Sequence, residues 1–180
     1  MLPRRHWQEM TTVDFATSDT ATWIAILPVC AIEQHGPHLP VATDTAIALG
    51  HVEAVVKKLP AHVPATFLPL QAIGKSNEHI AWIEIGDSVA RAGVRKLVLV
   101  NSHGGNVPII DIVARELRVK HSMLAVATSW SRFGQPKGLS SEWEGKFGIH
   151  GGDMETSVML ALRPVLVKMD KAEKFHSAQE

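Results

Sequence analysis

Three observations predict an α/β fold for this chain, a three-layer α/β/α sandwich around a mostly parallel central sheet. Short apolar runs alternate with stretches of helical period, successive runs are separated far enough for the chain to return in the same direction, and each run is followed at once by a polar cluster. The third observation bears on function, because open α/β sheets bind ligands beyond the carboxyl ends of their strands.

The runs rich in Val, Ile, Leu and Ala occupy residues 22–29, 65–70, 96–100 and 123–128, and their continuous apolar character suits strands buried on both faces. Helical periodicity fills residues 45–59, 83–92, 107–120 and 153–162. Residues 133–147, FGQPKGLSSEWEGKF, read as a long loop of the kind that covers sites. AIEQHG follows the first run, QAIGKSNEH the second, NSHGGN the third and SWSRFG the fourth, while HGGDMETS opens the last helix.

At 180 residues and 46% hydrophobic content, the chain is expected to build one core and a single domain over residues 1–180. Lysine plus arginine equals aspartate plus glutamate at 18 each, so no global field favours nucleic acid or an anionic membrane, and a small molecule is the expected partner. The lone Cys30 excludes an internal disulfide, and the basic start MLPRRHW is not followed by an apolar signal core. No apolar run approaches the roughly 20 residues of a membrane span. A cytoplasmic protein is the expectation.

The E-Q-H stretch sets Glu33 and His35 at i and i+2, which in extended backbone puts both side chains on one face, about 7 Å apart by strand rise. Gly36, Pro37 and Pro40 then turn the chain, and Asp44 follows just before a helical stretch, where it suits either a second approach to the same point or a helix N-cap. In NSHGGN, Gly104 and Gly105 permit a tight strand-to-helix turn that presents His103, with Asn101 and Asn106 placed to hydrogen-bond it. The same turn lacks the lysine of a P-loop and the spacing of G-x-G-x-x-G. His150 and Glu155 flank the glycine pair of HGGDMETS, with Asp153 placed to cap the last helix and Glu155 in its first turn, where the macrodipole favours a carboxylate. Glu33, His35, Asp44, His103 and Glu155 together form a mixed oxygen and nitrogen donor set that zinc, manganese or iron accepts. Two divalent ions balance three carboxylates and one hydroxide, which favours two ions over one in a buried site.

At these residues the chain resembles the creatininase family (creatinine amidohydrolase), through LPVCAIEQHGPHLPVATD, LVLVNSHGGN and HGGDMETSVMLALRP in that order. The resemblance implies an α/β/α fold, a dinuclear metal centre that hydrolyses carbon–nitrogen bonds of cyclic or small amides, and a homo-oligomer, commonly a hexamer. Residue by residue, it implies that Glu33, His35, Asp44 and His103 are metal ligands, with Asp44 bridging, and that His150 is catalytic, protonating the departing nitrogen. Imidazole titrates near neutral pH and so both gives and regains a proton there.

The chain departs from creatininase itself in several places. Gly105 stands where a metal-binding glutamate is expected, which points to a broader HGGN branch, to Glu155 as the replacement ligand acting beside His150, and away from creatinine as substrate. Lys146 stands where a tryptophan is expected, with Trp143 nearby, and Cys30 replaces a frequent glycine as a small buried spacer. Where the family continues with a segment of the type FPGT, Ile80 runs straight into AWIEIGDSVARAG, so about a turn and a helix start are either deleted or skipped, and the chain ends at SAQE, earlier than the family usually does. Ser76, Asn77, Glu78 and His79 are expected to line the pocket, and Trp130, Trp143 and Phe133 to pack on the sheet or cover a flat substrate. His38, His51, His62 and His121 are expected to be surface or structural. The reading is a dinuclear amidohydrolase with two Zn, Mn or Fe ions. Its rivals are a formamide-type deformylase of the same family and a non-catalytic metal-binding or assembly protein.

Overall fold

The computed structural model describes residues 2–72, 78–134, 136, 138 and 140–173, and the backbone alone of residues 78 and 79. The pocket-lining expectation for Ser76, Asn77 and the side chains of Glu78 and His79 lies outside the described residues.

Four strands, β1 (Ile24–Val29), β2 (Ala65–Phe67), β3 (Lys96–Asn101) and β4 (Leu124–Ser129), form one all-parallel sheet in the order β2-β1-β3-β4. In register, Ile24 pairs with Ala65 and Lys96, and Lys96 pairs with Leu124. The crossovers are α2 (Thr43–Lys58), α3 (Glu78–Arg91) and α4 (Val107–His121). The chain steps from β1 outward to β2, then back across β1 to β3, so right-handed crossovers put α2 on one face and α3 with α4 on the other. Beyond β4 come α5 (Glu142–Phe147) and α6 (Asp153–Leu162), and α6 packs on α2. The expected sandwich is therefore present, with parallel strands throughout.

Alternation along the strands sets the core. Ala25, Leu27, Val29, Leu97, Leu99 and Ala125 point to the α3/α4 face, where Trp82, Val89, Ile110, Val113 and Leu117 cover them. The α2 face is less completely covered towards β4, where Leu124 and Val126 are 60% and 40% exposed. The β2 edge is guarded by the N-terminal segment: Arg5 donates to the carbonyls of Pro60, Val63 and Ala65, and its own carbonyl accepts from the Phe67 amide.

Three local expectations are corrected. Residues 133–147 are not a loop throughout, because Ser141 accepts from the Glu144 amide at 3.0 Å and starts α5, an S-x-x-E signal within the sequence. Asp44 is not an N-cap: Ala42 holds that position, and Asp44 lies inside the first turn of α2. Asp153 likewise follows the cap of α6, which is Gly152. An element with no periodic signal, α1 (Thr12–Thr17), is held by a reciprocal cap between Thr11 and Asp14. Helix α3 runs unbroken through Ile80 and Ala81.

Across the outer layer, Asp87 on α3 accepts from Lys120 Nζ and faces His121 Nε2, both at 2.6 Å, on α4. The lysine and histidine contacts hold the Asp87 carboxyl below its ordinary pKa. A carboxylate lowered on folding stabilises the fold above its unfolded pKa and loses that contribution as the pH falls through its folded one. Asp87→Asn should therefore be less stable than the parent in urea at pH 7, and the difference should close when both are unfolded at a pH below the depressed value.

Candidate metal centre

The reversal in strand order lies between β1 and β3, so the crevice opens at their carboxyl ends. Four of the six candidate residues arrive there from these strands. Glu33 and His35 lie in the irregular segment after β1, Asp44 in the first turn of α2, and His103 in the turn after β3. His150 and Glu155 come from the start of α6 and the segment before it.

The NSHGGN turn is held from within. The Asn101 side chain donates to the His103 carbonyl and accepts from the His103 amide at 3.1 Å, while Asn106 donates to Asn101 Oδ1 and to the Cys30 carbonyl, each at 3.2 Å. A Cβ at position 105 would stand 2.5 Å from His103 Nε2, so glycine is what lets the imidazole lie across its own turn. A glutamate at this position is incompatible with that ring placement.

The two oxygens of Asp44 divide the centre. Oδ1 lies 3.1 Å from His35 Nε2, and Oδ2 lies 3.2 Å from His103 Nδ1. His103 Nδ1 is also 2.7 Å from Glu33 Oε1, and His35 Nε2 is 3.6 Å from Glu155 Oε1. Two donor groups result, Glu33–Asp44–His103 and His35–Asp44–Glu155, each with ligand atoms within 4.8 Å of one another and with Asp44 common to both. A third group, Glu33–His35–His150, meets the same limit. His150 Nδ1 stands 3.7 Å from Glu33 Oε1, and its ring meets that of His35 edge-on, with centroids 5.0 Å apart.

The chemistry of this donor set fits a cation. Glu33 Oε1 and Asp44 Oδ2 are buried and accept no hydrogen bond, although His103 Nδ1 lies 2.7 and 3.2 Å from them. Burial disfavours a charged His35, yet its contacts with Asp44 and Glu155 and with the Glu33 carbonyl overcome this and raise its pKa to about 10. Two carboxylates and a backbone carbonyl thus favour positive charge at this point, the demand a divalent ion answers.

A cavity of about 570 Å³ opens on Asp44, His103 and Glu155, walled by His51, Ser102 and Trp130. A second, of about 960 Å³, opens on His150 and His38 and is walled by Trp143, Phe147, Ile149 and Leu160. The two meet at Glu144, Gly148 and Ile149, at the carboxyl end of α5.

The profile of the family described as "Creatininase: Creatinine amidohydrolase" matches residues 8–180. The chain belongs to the creatininase family. Its similarity to a "Mycofactocin precursor peptide peptidase" of Mycobacterium ulcerans is 33% identity over 88% of this chain and 66% of that protein. A "Creatinine amidohydrolase" of Pseudomonas putida is 31% identical over 82% of this chain and 67% of its own. Among solved structures, a mutant creatininase of "Zn-Zn type" superposes with a TM-score of 0.73 at 28% identity, covering 94% of this chain and 77% of that one. The chain spans about two thirds of the length of these curated creatininase-family relatives.

Other expectations met different outcomes. Trp130 and Trp143 line the two cavities, but Phe133 is 75% exposed and covers neither. Of the histidines assigned to surface or structure, His121 pairs with Asp87 as described, whereas His51 meets Trp130 at a tilt in a cavity wall, with ring centroids 5.0 Å apart. His38 is buried beside the centre. The i+7 spacing of His51 from Asp44, which puts both on one face of α2, was a readable signal for the former.

Cys30 is fully buried, with Sγ 3.4 Å from Thr45 Oγ1, and burial raises its thiol to about 11. The spacer reading therefore carries a check: a disulfide reagent at pH 8 should leave the native protein unlabelled and label it fully in denaturant. Fast labelling of the native protein would contradict this burial.

Proposed function

We propose that the chain is a hydrolase that uses two divalent cations to cleave a carbon–nitrogen bond of a cyclic or other small amide. The observation that carries this reading is the division of the Asp44 carboxylate between two imidazoles, which sorts the donors into two sets with one shared member. Glu33, Asp44 and His103 would hold one ion, and His35, Asp44 and Glu155 the other. Bound there, the ions supply a water acidified to near-neutral pH and a Lewis acid for the substrate carbonyl oxygen.

The protein's own groups do the rest. Glu155 takes the ligand place that Gly105 leaves vacant, its Oε2 fixed by the Gly151 amide at 2.6 Å so that Oε1 faces His35. His150, on the cavity wall beside Glu33, delivers a proton to the departing nitrogen. Trp143 and Phe147 offer apolar surface to the body of the substrate.

The test is a substrate panel of creatinine, other lactams, formamido compounds and short peptides, the last because one relative bears the name of a peptide peptidase. With Zn or Mn added, at least one should turn over, and His150→Ala should lower kcat by about 10²–10⁴-fold while the ions stay bound. Ion binding without turnover across the panel would sink the enzyme reading and leave a metal-binding or assembly protein.

A further inference from the structure

His38 lies between Pro37 and Pro40, only 2% exposed, and belongs to neither donor set. Its ring Nε2 is 2.9 Å from Thr156 Oγ1, across 118 residues of sequence. The Thr156 hydroxyl donates to the Gly151 carbonyl at 3.4 Å. The Thr156 hydroxyl has one proton to give, and where it goes to Gly151, His38 Nε2 is the donor in its contact with Thr156. From Gly151 the connection continues, since its amide donates to Glu155 Oε2 at 2.6 Å. Gly151 itself adopts φ 65°, and a Cβ there would lie 2.7 Å from the His35 carbonyl oxygen and 3.1 Å from His38 Cε1. The His38 carbonyl, in turn, accepts from the Lys168 amide at 2.9 Å, tying down the segment beyond α6.

We infer that His38 is a positioning residue of the metal centre, which through Thr156 and Gly151 fixes Glu155 and His150 against the segment bearing His35. The inference rests on the metal reading above. Its physical content is that Glu155 and His150 belong to the start of α6 and the segment before it, whereas His35 and Asp44 belong to the connection after β1 and the first turn of α2. Something must set the distance between these two segments. The proline-flanked backbone at His38 gives a stiff platform, the ring spans the gap, and the hydroxyl of Thr156 locks the left-handed turn that aims the Glu155 carboxylate.

The experiment strips the wild-type protein with chelator, titrates it with Zn or Mn, and repeats this for His38→Ala, His38→Gln, Thr156→Val and the His38→Ala/Thr156→Val double variant, with thermal melts alongside. Thr156→Val preserves shape, so it remains informative should His38→Ala fail to fold. Each disrupting variant is expected to bind ion about 10–100-fold more weakly. The double variant should be no weaker than the worse single one, because both break the same connection. His38→Gln, whose amide can donate from the position of Nε2, should recover most of the affinity. Wild-type affinity in Thr156→Val, or losses that multiply in the double variant, would overturn the inference. Failure of the wild-type protein to bind either ion would instead overturn the metal reading beneath it.

Discussion

Asp44→Ala is expected to abolish ion binding and to reduce hydrolysis to background, a loss on the order of 10³-fold or more, equivalent to about 4 kcal/mol of transition-state stabilisation. No other residue belongs to both the Glu33–His103 and the His35–Glu155 donor sets, so its removal takes one ligand from each at once. The fold should survive. Loss of a partner to a buried charge ordinarily costs several kcal/mol, but Asp44→Ala leaves His35 its contacts with Glu155 Oε1 and the Glu33 carbonyl. Asp44→Asn separates charge from shape, since it fills the same space yet leaves a neutral amide facing two imidazoles. Metal analysis of the purified variants, calorimetric titration and circular dichroism give the three readouts. Full ion occupancy in Asp44→Ala would show that the donor sets are not joined through this carboxylate.

The second large effect is expected at Gly151. An alanine there must adopt φ 65°, which costs about 1–2 kcal/mol by itself, and its Cβ would sit 2.7 Å from the His35 carbonyl oxygen, a backbone atom that cannot swing aside. For a chain of this size the combined cost of about 2–3 kcal/mol corresponds to a melting point about 5–10 °C lower. Activity should fall further than stability alone requires. Relief of the contact moves the amide that holds Glu155 Oε2, and displacement of a reacting group by about 1 Å is enough for a loss of about 10²-fold. Thermal melts and steady-state kinetics at a temperature where both proteins are folded distinguish the two effects. Gly151→Ala with wild-type melting and rate would refute the close approach.

The sequence carried the elements long enough to show a period. The runs at 96–100 and 123–128 became β3 and β4 with end shifts of one residue, and the stretch at 153–162 became α6 without change. What it concealed were short elements, because six residues do not complete two helical turns: α1 and α5 are announced by the side chains of Thr11 and Ser141, not by periodicity. The candidate site residues were legible for a different reason. Histidines and carboxylates beside glycine pairs at strand ends are costly to fold around, and His103 stands out directly after the apolar run of β3. His38 did not stand out, since its role depends on a hydroxyl 118 residues away, a pairing that only tertiary structure defines.

The donors that share Asp44 come from distant stretches of chain, with His35 and Glu155, members of one set, separated by about 120 residues. An ion held among them therefore acts as a reversible cross-link that closes a very long loop. In the unfolded chain that closure carries a large entropic cost, one that grows only logarithmically with loop length. The ion and the sheet consequently favour the same topology: the parallel β1–β3 pairing brings the ligands together, and the cation draws together the ends of the loop that pairing creates.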